Sequence, residues 1–133
     1  MILLDTHVAI WLANDDARLG SQSRKQVLTA RDNNQLSVSA ISFWEIALLI
    51  AKNRLEPRSD PVTLRNDFLH TGVTELALTG DIAMLAVSLE NLHADPADRF
   101  IVATSIVHDA ILVTADDKLL RWRHELRRQN AEI

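Results

Sequence analysis

Two short apolar runs, each followed by an aspartate and a helical pattern, most constrain the fold of this chain. Residues 2–4 (ILL) precede Asp5, and residues 111–113 (ILV) lie shortly before Asp116. Both runs are apolar at every position instead of alternating, which is typical of parallel strands buried on both faces. The sequence therefore predicts a parallel sheet covered by helices.

Strand-like runs alternate with helical periodicity along all 133 residues. Weaker strands are predicted at 36–38 and 74–78, and a last helical stretch follows Asp117. The other predicted helices cover 6–13, 22–32, 43–53, 62–70, 82–92 and 96–108. This alternation implies βαβ units. We predict an α/β fold, with one domain spanning 1–133 and a three-layer α/β/α sandwich around a central parallel sheet of about four to five strands.

Several classes of protein are disfavoured by composition. The chain has no cysteine, which excludes disulfides, thiolate metal ligands and a cysteine nucleophile. Its net charge of −4 argues against a nucleic-acid binder with a broad basic surface. An acidic site that recruits cations can still meet phosphate through the metal.

Two further segments bear on organisation and location. The segment 56–61 (EPRSDP) contains two prolines that bar a continuous helix, and it predicts an inter-helix loop. The N-terminal stretch has no basic lead-in and carries Asp5 and His7, so it makes a poor signal peptide. No stretch reaches the roughly 18 apolar residues of a membrane span. We expect a cytoplasmic protein with no membrane contact.

Four acids are placed where strands end or helices begin. Asp5 and Asp116 follow predicted strands, Glu45 lies near the start of the helix after strand 36–38, and Asp98 lies in the first turn of a helix. Ligands of parallel α/β sheets bind outside the carboxyl ends of the strands. The four carboxylates are therefore expected to converge at one edge of the sheet.

Each acid also has a simpler explanation as a helix cap. Asp5 and Asp116 suit N-cap positions, whose side chains accept hydrogen bonds from free backbone N–H groups. Ser42 and Glu45 spell a capping box, and Asp98 has the equivalent place in helix 96–108, after Asp95 as the N-cap. Taken singly, each acid is more readily explained as a cap than as a ligand.

Taken together, the four acids predict a cation site. Carboxylates packed in one partly buried cleft repel each other unless some are protonated or a cation is bound. Hard oxygen ligands favour Mg²⁺ or Mn²⁺ over zinc. Such ions can activate a water molecule and stabilise the charge on a phosphate during its transfer.

Four motifs in this order and spacing resemble the PIN-domain ribonucleases, and among them the VapC-like toxins of bacterial toxin–antitoxin pairs. The resemblance covers nearly the whole chain, and the motifs are LLDTH (3–7), VSAISFWEIA (38–47), LHADPADRFIVATS (92–105) and LVTADD (112–117). It implies a metal-dependent endoribonuclease with a PIN-like fold. It also implies an RNA substrate, a cognate antitoxin whose tail occupies the active-site groove, and a homodimer.

Carried over by position, the family's metal-binding acids fall on Asp5, Glu45, Asp98 and Asp116, with Mg²⁺ or Mn²⁺ as the cofactor. Secondary candidates are the hydroxyl positions Thr6 and Thr114, and the neighbouring acids Asp95 and Asp117.

Other polar and aromatic residues are expected outside the ligand set. His7 and His93 lack ligand spacing and are expected at the surface or in contact with a ligand residue. Trp11 and Trp44 fall on apolar helical stripes and are expected in the core. The basic segment 121–128 is expected to be a solvated helix.

Two alternatives remain open from the residues. A phosphatase or phosphotransferase could use a similar sheet, although the dehalogenase pattern needs a second aspartate two residues after the first, where His7 stands. A non-catalytic α/β binding module, whose acids only cap helices, would show no metal dependence.

Overall fold

A five-stranded parallel sheet forms the centre of the protein in a computed structural model that describes residues 1–55 and 60–133. The strands lie in the order β3-β2-β1-β4-β5, and every neighbouring pair is parallel. Their bounds are β1 Ile2–Leu4, β2 Leu36–Ser39, β3 Thr74–Leu76, β4 Ile111–Thr114 and β5 Arg128–Asn130. The predicted parallel α/β sheet is confirmed.

In the described parts of the chain, seven helices connect these strands. They are α1 Thr6–Ala13, α2 Ser21–Asp32, α3 Ala40–Ala51, α4 Pro61–His70, α5 Gly80–Ser88, α6 Pro96–Val107 and α7 Asp117–Arg121. One hydrophobic cluster joins the sheet to α1, α2 and α4, and a second joins it to α5, α6 and α7. The sheet is therefore covered on both faces, as the apolar strands predict.

The strand order reverses between β1 and β4. Leu4 of β1 is in register with Val38 of β2 on one side and with Val113 of β4 on the other, so the three strands end nearly level. A crevice opens at such a reversal, outside the carboxyl ends of the strands. Asp5 directly follows β1, and Asp116 caps the helix after β4. The topology therefore brings the two strand-end acids to the same crevice.

The start of α3 differs from the sequence prediction. Ser39 is its N-cap and accepts a hydrogen bond from the Ile41 N–H, so the helix begins at Ala40 and not at Phe43. Ser42 lies inside the helix, where its hydroxyl is 2.9 Å from that of Thr6. The predicted capping box of Ser42 and Glu45 is wrong, because Ser39 is the residue that caps α3.

The predicted helical stretch after Asp117 is present as α7, but the predicted solvated helix over 121–128 is wrong. The helix α7 ends at Arg121, where Trp122 adopts an extended backbone and buries its indole. The chain then returns to the sheet as β5, whose residues pair with β4. This strand is polar and only half-buried at the sheet edge, so it carries no apolar signal.

Several smaller predictions can be compared with the structure. Trp11 is buried, as predicted, but Trp44 is 53% exposed and is not a core residue. Of the predicted loop 56–61, residues 56–59 lie outside the described residues, and Asp60 and Pro61 start α4. Among the residues that the structure describes, no helix is long and apolar enough to cross a membrane.

Candidate metal centre

Asp5 lies at the floor of the crevice, almost fully buried. Its Oδ1 accepts the Thr6 N–H at 2.8 Å, and its Oδ2 accepts the Thr114 hydroxyl at 2.7 Å. Burial raises the pKa of Asp5, and the two hydrogen bonds oppose that effect. Asp5 therefore caps α1, as the simpler explanation predicts, and also places a carboxylate in the crevice.

Thr114 joins the ends of β1 and β4. While its hydroxyl donates to Asp5, the same oxygen accepts the Asp116 N–H at 3.0 Å. Asp116 in turn accepts the Lys118 N–H at 2.8 Å and so caps α7. One buried hydroxyl thus fixes two acids relative to each other.

Asp98 extends from the first turn of α6 without capping that helix. The cap is Asp95, which accepts the Asp98 N–H at 3.3 Å. The carboxylate of Asp98 instead contacts His93, with 2.6 Å between Oδ2 and Nε2. Burial, with the nearby negative charges of Asp5, Asp95 and Asp116, raises the pKa of Asp98 to about 6, although the His93 hydrogen bond opposes this.

Glu45 approaches the same place from α3. Partial burial raises the pKa of its carboxyl, and the charges of Asp5 and Asp95 act in the same direction, while a hydrogen bond from Thr6 opposes them. Because Ser39 caps α3, Glu45 has no capping role. The cap explanation thus holds for Asp5 and Asp116 but fails for Glu45 and Asp98.

The structure groups these acids into two sets that share Asp98. In each set, one ligand atom per residue lies within 4.8 Å of the others, and the sets are His93–Asp98–Asp116 and Glu45–Asp95–Asp98. Asp5 belongs to neither set, but its charge raises the pKa values of both Glu45 and Asp98. The exposed Asp117 also belongs to neither set.

The donor chemistry fits a hard divalent cation. Three carboxyl groups, those of Asp5, Glu45 and Asp98, have raised pKa values, which shows that the crevice disfavours further negative charge. A bound cation would reverse that preference and favour the ionised carboxylates. Because carboxylate oxygens predominate among the donors, Mg²⁺ and Mn²⁺ fit better than zinc.

Two contacts describe the surroundings of Asp98 more closely than the sequence does. Of the two places predicted for His93, the surface or contact with a ligand residue, the structure shows the second, against the proposed ligand Asp98. Arg99, one residue after Asp98, donates hydrogen bonds to the backbone carbonyls of Leu92 and His93. The five-residue separation of His93 and Asp98 matches no standard ligand spacing, so only the fold reveals the contact.

Comparison with known proteins gives the same family that the motifs suggest. The PIN domain family matches residues 2–125. Ribonuclease VapC22 from Mycobacterium tuberculosis is 38% identical over 124 residues, which are 92% of each chain. The family match includes the four motifs and all the candidate acids.

Solved structures share the fold at low sequence identity. VapBC2 from Rickettsia felis, bound to a DNA fragment from its promoter, has a TM-score of 0.73 at 19% identity and covers 98% of each chain. A toxin–antitoxin complex from Klebsiella pneumoniae has a TM-score of 0.57 at 21% identity and covers 87% of each chain. At these identities the likeness concerns the fold alone.

Proposed function

This chain belongs to the PIN domain family, and from that premise we propose that it is a metal-dependent endoribonuclease, the toxin of a toxin–antitoxin pair. The observation that carries the proposal is that Glu45 of α3 and Asp116, the N-cap of α7, each lie close to Asp98 of α6, beside the buried Asp5. Glu45 and Asp98 do not cap their helices, which disfavours a binding module whose acids serve only as caps.

The proposed reaction depends on how the acids share the crevice. Asp98 would hold the cation together with Asp116 on one side and Glu45 on the other, with Asp95 as a further ligand. Bound Mg²⁺ or Mn²⁺ supplies an activated water molecule and offsets negative charge on the phosphate. Asp5 would contribute a further carboxylate to the cation, and the hydrogen bond that it accepts from Thr114 keeps the ends of β1 and β4 together.

The proposed partners follow from the family and from the similar structures. We propose RNA as the substrate, a cognate antitoxin whose tail occupies the active-site groove, and a homodimer of the toxin. Some of the similar solved structures are toxin–antitoxin complexes, which supports the antitoxin. An RNA substrate and an antitoxin both favour the cytoplasm as the place of action.

A cleavage assay tests the proposed function. Purified protein is incubated with RNA that contains single-stranded and looped regions, with Mg²⁺, with Mn²⁺, or with EDTA. We expect cleavage only with the metals and loss of cleavage in Asp98→Asn. Asp81→Asn is the matched control, because Asp81 is an exposed acid of α5 outside both ligand sets. Cleavage unimpaired by EDTA would contradict metal dependence.

A further inference from the structure

His93 contacts Asp98 in a way that the proposed reaction does not use. It lies in the segment between α5 and α6, and its side chain is 20% exposed, while that of Asp98 is 13% exposed. A separation of 2.6 Å between Nε2 and Oδ2 marks a strong, charge-assisted hydrogen bond. The imidazole is therefore set against one oxygen of the carboxylate that belongs to both ligand sets.

The contact with Asp98 indicates which nitrogen of the neutral His93 imidazole carries the hydrogen. An ionised carboxylate only accepts hydrogen bonds, so Nε2 carries the hydrogen. The other ring nitrogen, Nδ1, is buried and has no hydrogen-bond partner among the residues that the structure describes. An unprotonated Nδ1 leaves no buried N–H unsatisfied, which agrees with the same assignment. Because Nε2 carries the hydrogen that it donates in the hydrogen bond to Asp98, it has no lone pair free to bind a cation.

Arg99 holds the segment that carries His93. Its guanidinium donates hydrogen bonds to the backbone carbonyls of Ala86, Val87, Leu89, Leu92 and His93, at 2.8–3.3 Å. The end of α5 and the following turn are thus tied to the first turn of α6, which also bears Asp98. The position of the imidazole is fixed by its own backbone as well as by its contact with the carboxylate.

We propose that His93 is a positioning residue, which orients Asp98 for the cation through Nε2–H while Arg99 fixes its backbone. This inference rests on the proposed function, because it concerns the same centre. Hydrogen-bond partners of metal ligands orient the ligand, and their loss typically lowers metal affinity about 10–100-fold. His93 would therefore set the affinity for the metal without touching it.

The competing possibility is that His93 is itself a ligand. One of its ring nitrogens lies within 4.8 Å of oxygens of Asp98 and Asp116, which leaves room for a shared ion if the hydrogen bond breaks. A direct ligand and a positioning residue differ in a spectroscopic property. Nitrogen bound directly to Mn²⁺ gives a large isotropic ¹⁴N coupling in pulsed electron paramagnetic resonance, whereas nitrogen separated from the ion by a carboxylate gives only a weak one.

The test compares the parent with His93→Ala, His93→Gln and the control His108→Ala, whose side chain is exposed at the end of α6. Mn²⁺ dissociation constants are measured by electron paramagnetic resonance, and cleavage rates are measured across Mn²⁺ concentrations. We expect His93→Ala to weaken Mn²⁺ binding about 10–100-fold, with most of the cleavage rate regained at saturating Mn²⁺. The Gln amide can still donate to Asp98, so His93→Gln should restore most of the affinity.

Each other outcome overturns a definite statement. Equal Mn²⁺ affinity in the parent and in a folded His93→Ala variant removes the positioning role, and so does a failure of His93→Gln to restore affinity when it unfolds like the parent in EDTA. A large isotropic ¹⁴N coupling in the parent that vanishes in His93→Ala makes His93 a ligand instead. A parent that neither binds Mn²⁺ nor cleaves RNA overturns the proposed function, and this inference with it.

Discussion

The Thr114 hydroxyl donates a 2.7 Å hydrogen bond to Asp5 across 109 residues of sequence, and it links the ends of two adjacent parallel strands. Both side chains are buried, so neither group has bulk water as an alternative partner. The Thr114 oxygen also accepts the Asp116 N–H, so the same hydroxyl organises two acids. A threonine at the end of a strand is therefore a structural part of the proposed metal centre.

Replacing this hydroxyl by a methyl group is expected to destabilise the protein. In Thr114→Val the side chain keeps its shape, but Asp5 and the Asp116 N–H each lose a hydrogen-bond partner. A buried polar group left unsatisfied costs about 1–3 kcal/mol of unfolding free energy. Urea unfolding in EDTA measures the loss. Thr114→Ser keeps the hydroxyl and should retain more of the stability; equal losses in both variants would assign the effect to packing.

Much of the fold could be predicted because its strands are apolar on both faces. Residues 2–4 and 111–113 belong to strands buried between two helical layers, so their composition reports their environment directly. The strand β5 could not be found in this way, because it is polar and half-buried at the sheet edge. The burial predicted for Trp44 is wrong because an apolar stripe on a helix does not show which of its residues another element covers.

The candidate site could be predicted only in outline. Strand ends and helix starts indicate which acids share an edge, and the structure brings Glu45 and Asp116 each close to Asp98. The same signals cannot separate a cap from a ligand, because both place an acid at a helix start. His93 needed the fold, since its contact with Asp98 depends on how the turn after α5 is held.

Replacing single aspartates by asparagine distinguishes an acid that caps a helix from one that binds the metal. Asparagine caps as well as aspartate, so Asp5→Asn keeps the bond to the Thr6 N–H and removes one of several crowded negative charges. In EDTA the relief of charge repulsion opposes the loss of the Thr114 hydrogen bond, because the amide nitrogen of asparagine cannot accept it. A metal that binds only the folded state adds about 2.7 kcal/mol at a hundredfold excess over Kd. Asp5→Asn and Asp98→Asn should lose most of this gain.

Melting curves with and without Mg²⁺ measure these gains. Asp81→Asn serves again as the control, and it should keep the full Mg²⁺-dependent increase in melting temperature. Equal increases in the parent, Asp5→Asn and Asp98→Asn would exclude these two acids as ligands.

Expression in a bacterial host tests the proposed biological role. The parent chain alone should arrest growth, and co-expression of the small neighbouring gene should relieve the arrest. Asp98→Asn should be harmless at equal soluble expression, because it lacks a carboxylate shared by both ligand sets. Normal growth with abundant soluble parent protein would count against a toxin.

Proton competition at Asp98 predicts opposite effects of pH on the metal-free and metal-bound proteins. The pKa of Asp98 is raised from 3.8 to about 6 in the folded protein, chiefly by burial. Between these values the metal-free folded state holds a proton that the unfolded state releases. Its stability therefore decreases as pH rises through about 6, because the folded state binds more protons.

With metal present, the dependence reverses, because the cation needs the ionised carboxylate. As pH falls below about 6, the stabilisation by a fixed, subsaturating Mg²⁺ concentration and the cleavage rate should both decrease, and added Mg²⁺ should restore them. Asp5 and Glu45 also have raised pKa values and contribute in the same direction.

Urea unfolding in EDTA across this pH range isolates the contribution of Asp98 to the metal-free protein. The measured quantity is the difference in unfolding free energy between the parent and Asp98→Asn. A difference that stays constant with pH would show that Asp98 does not titrate there.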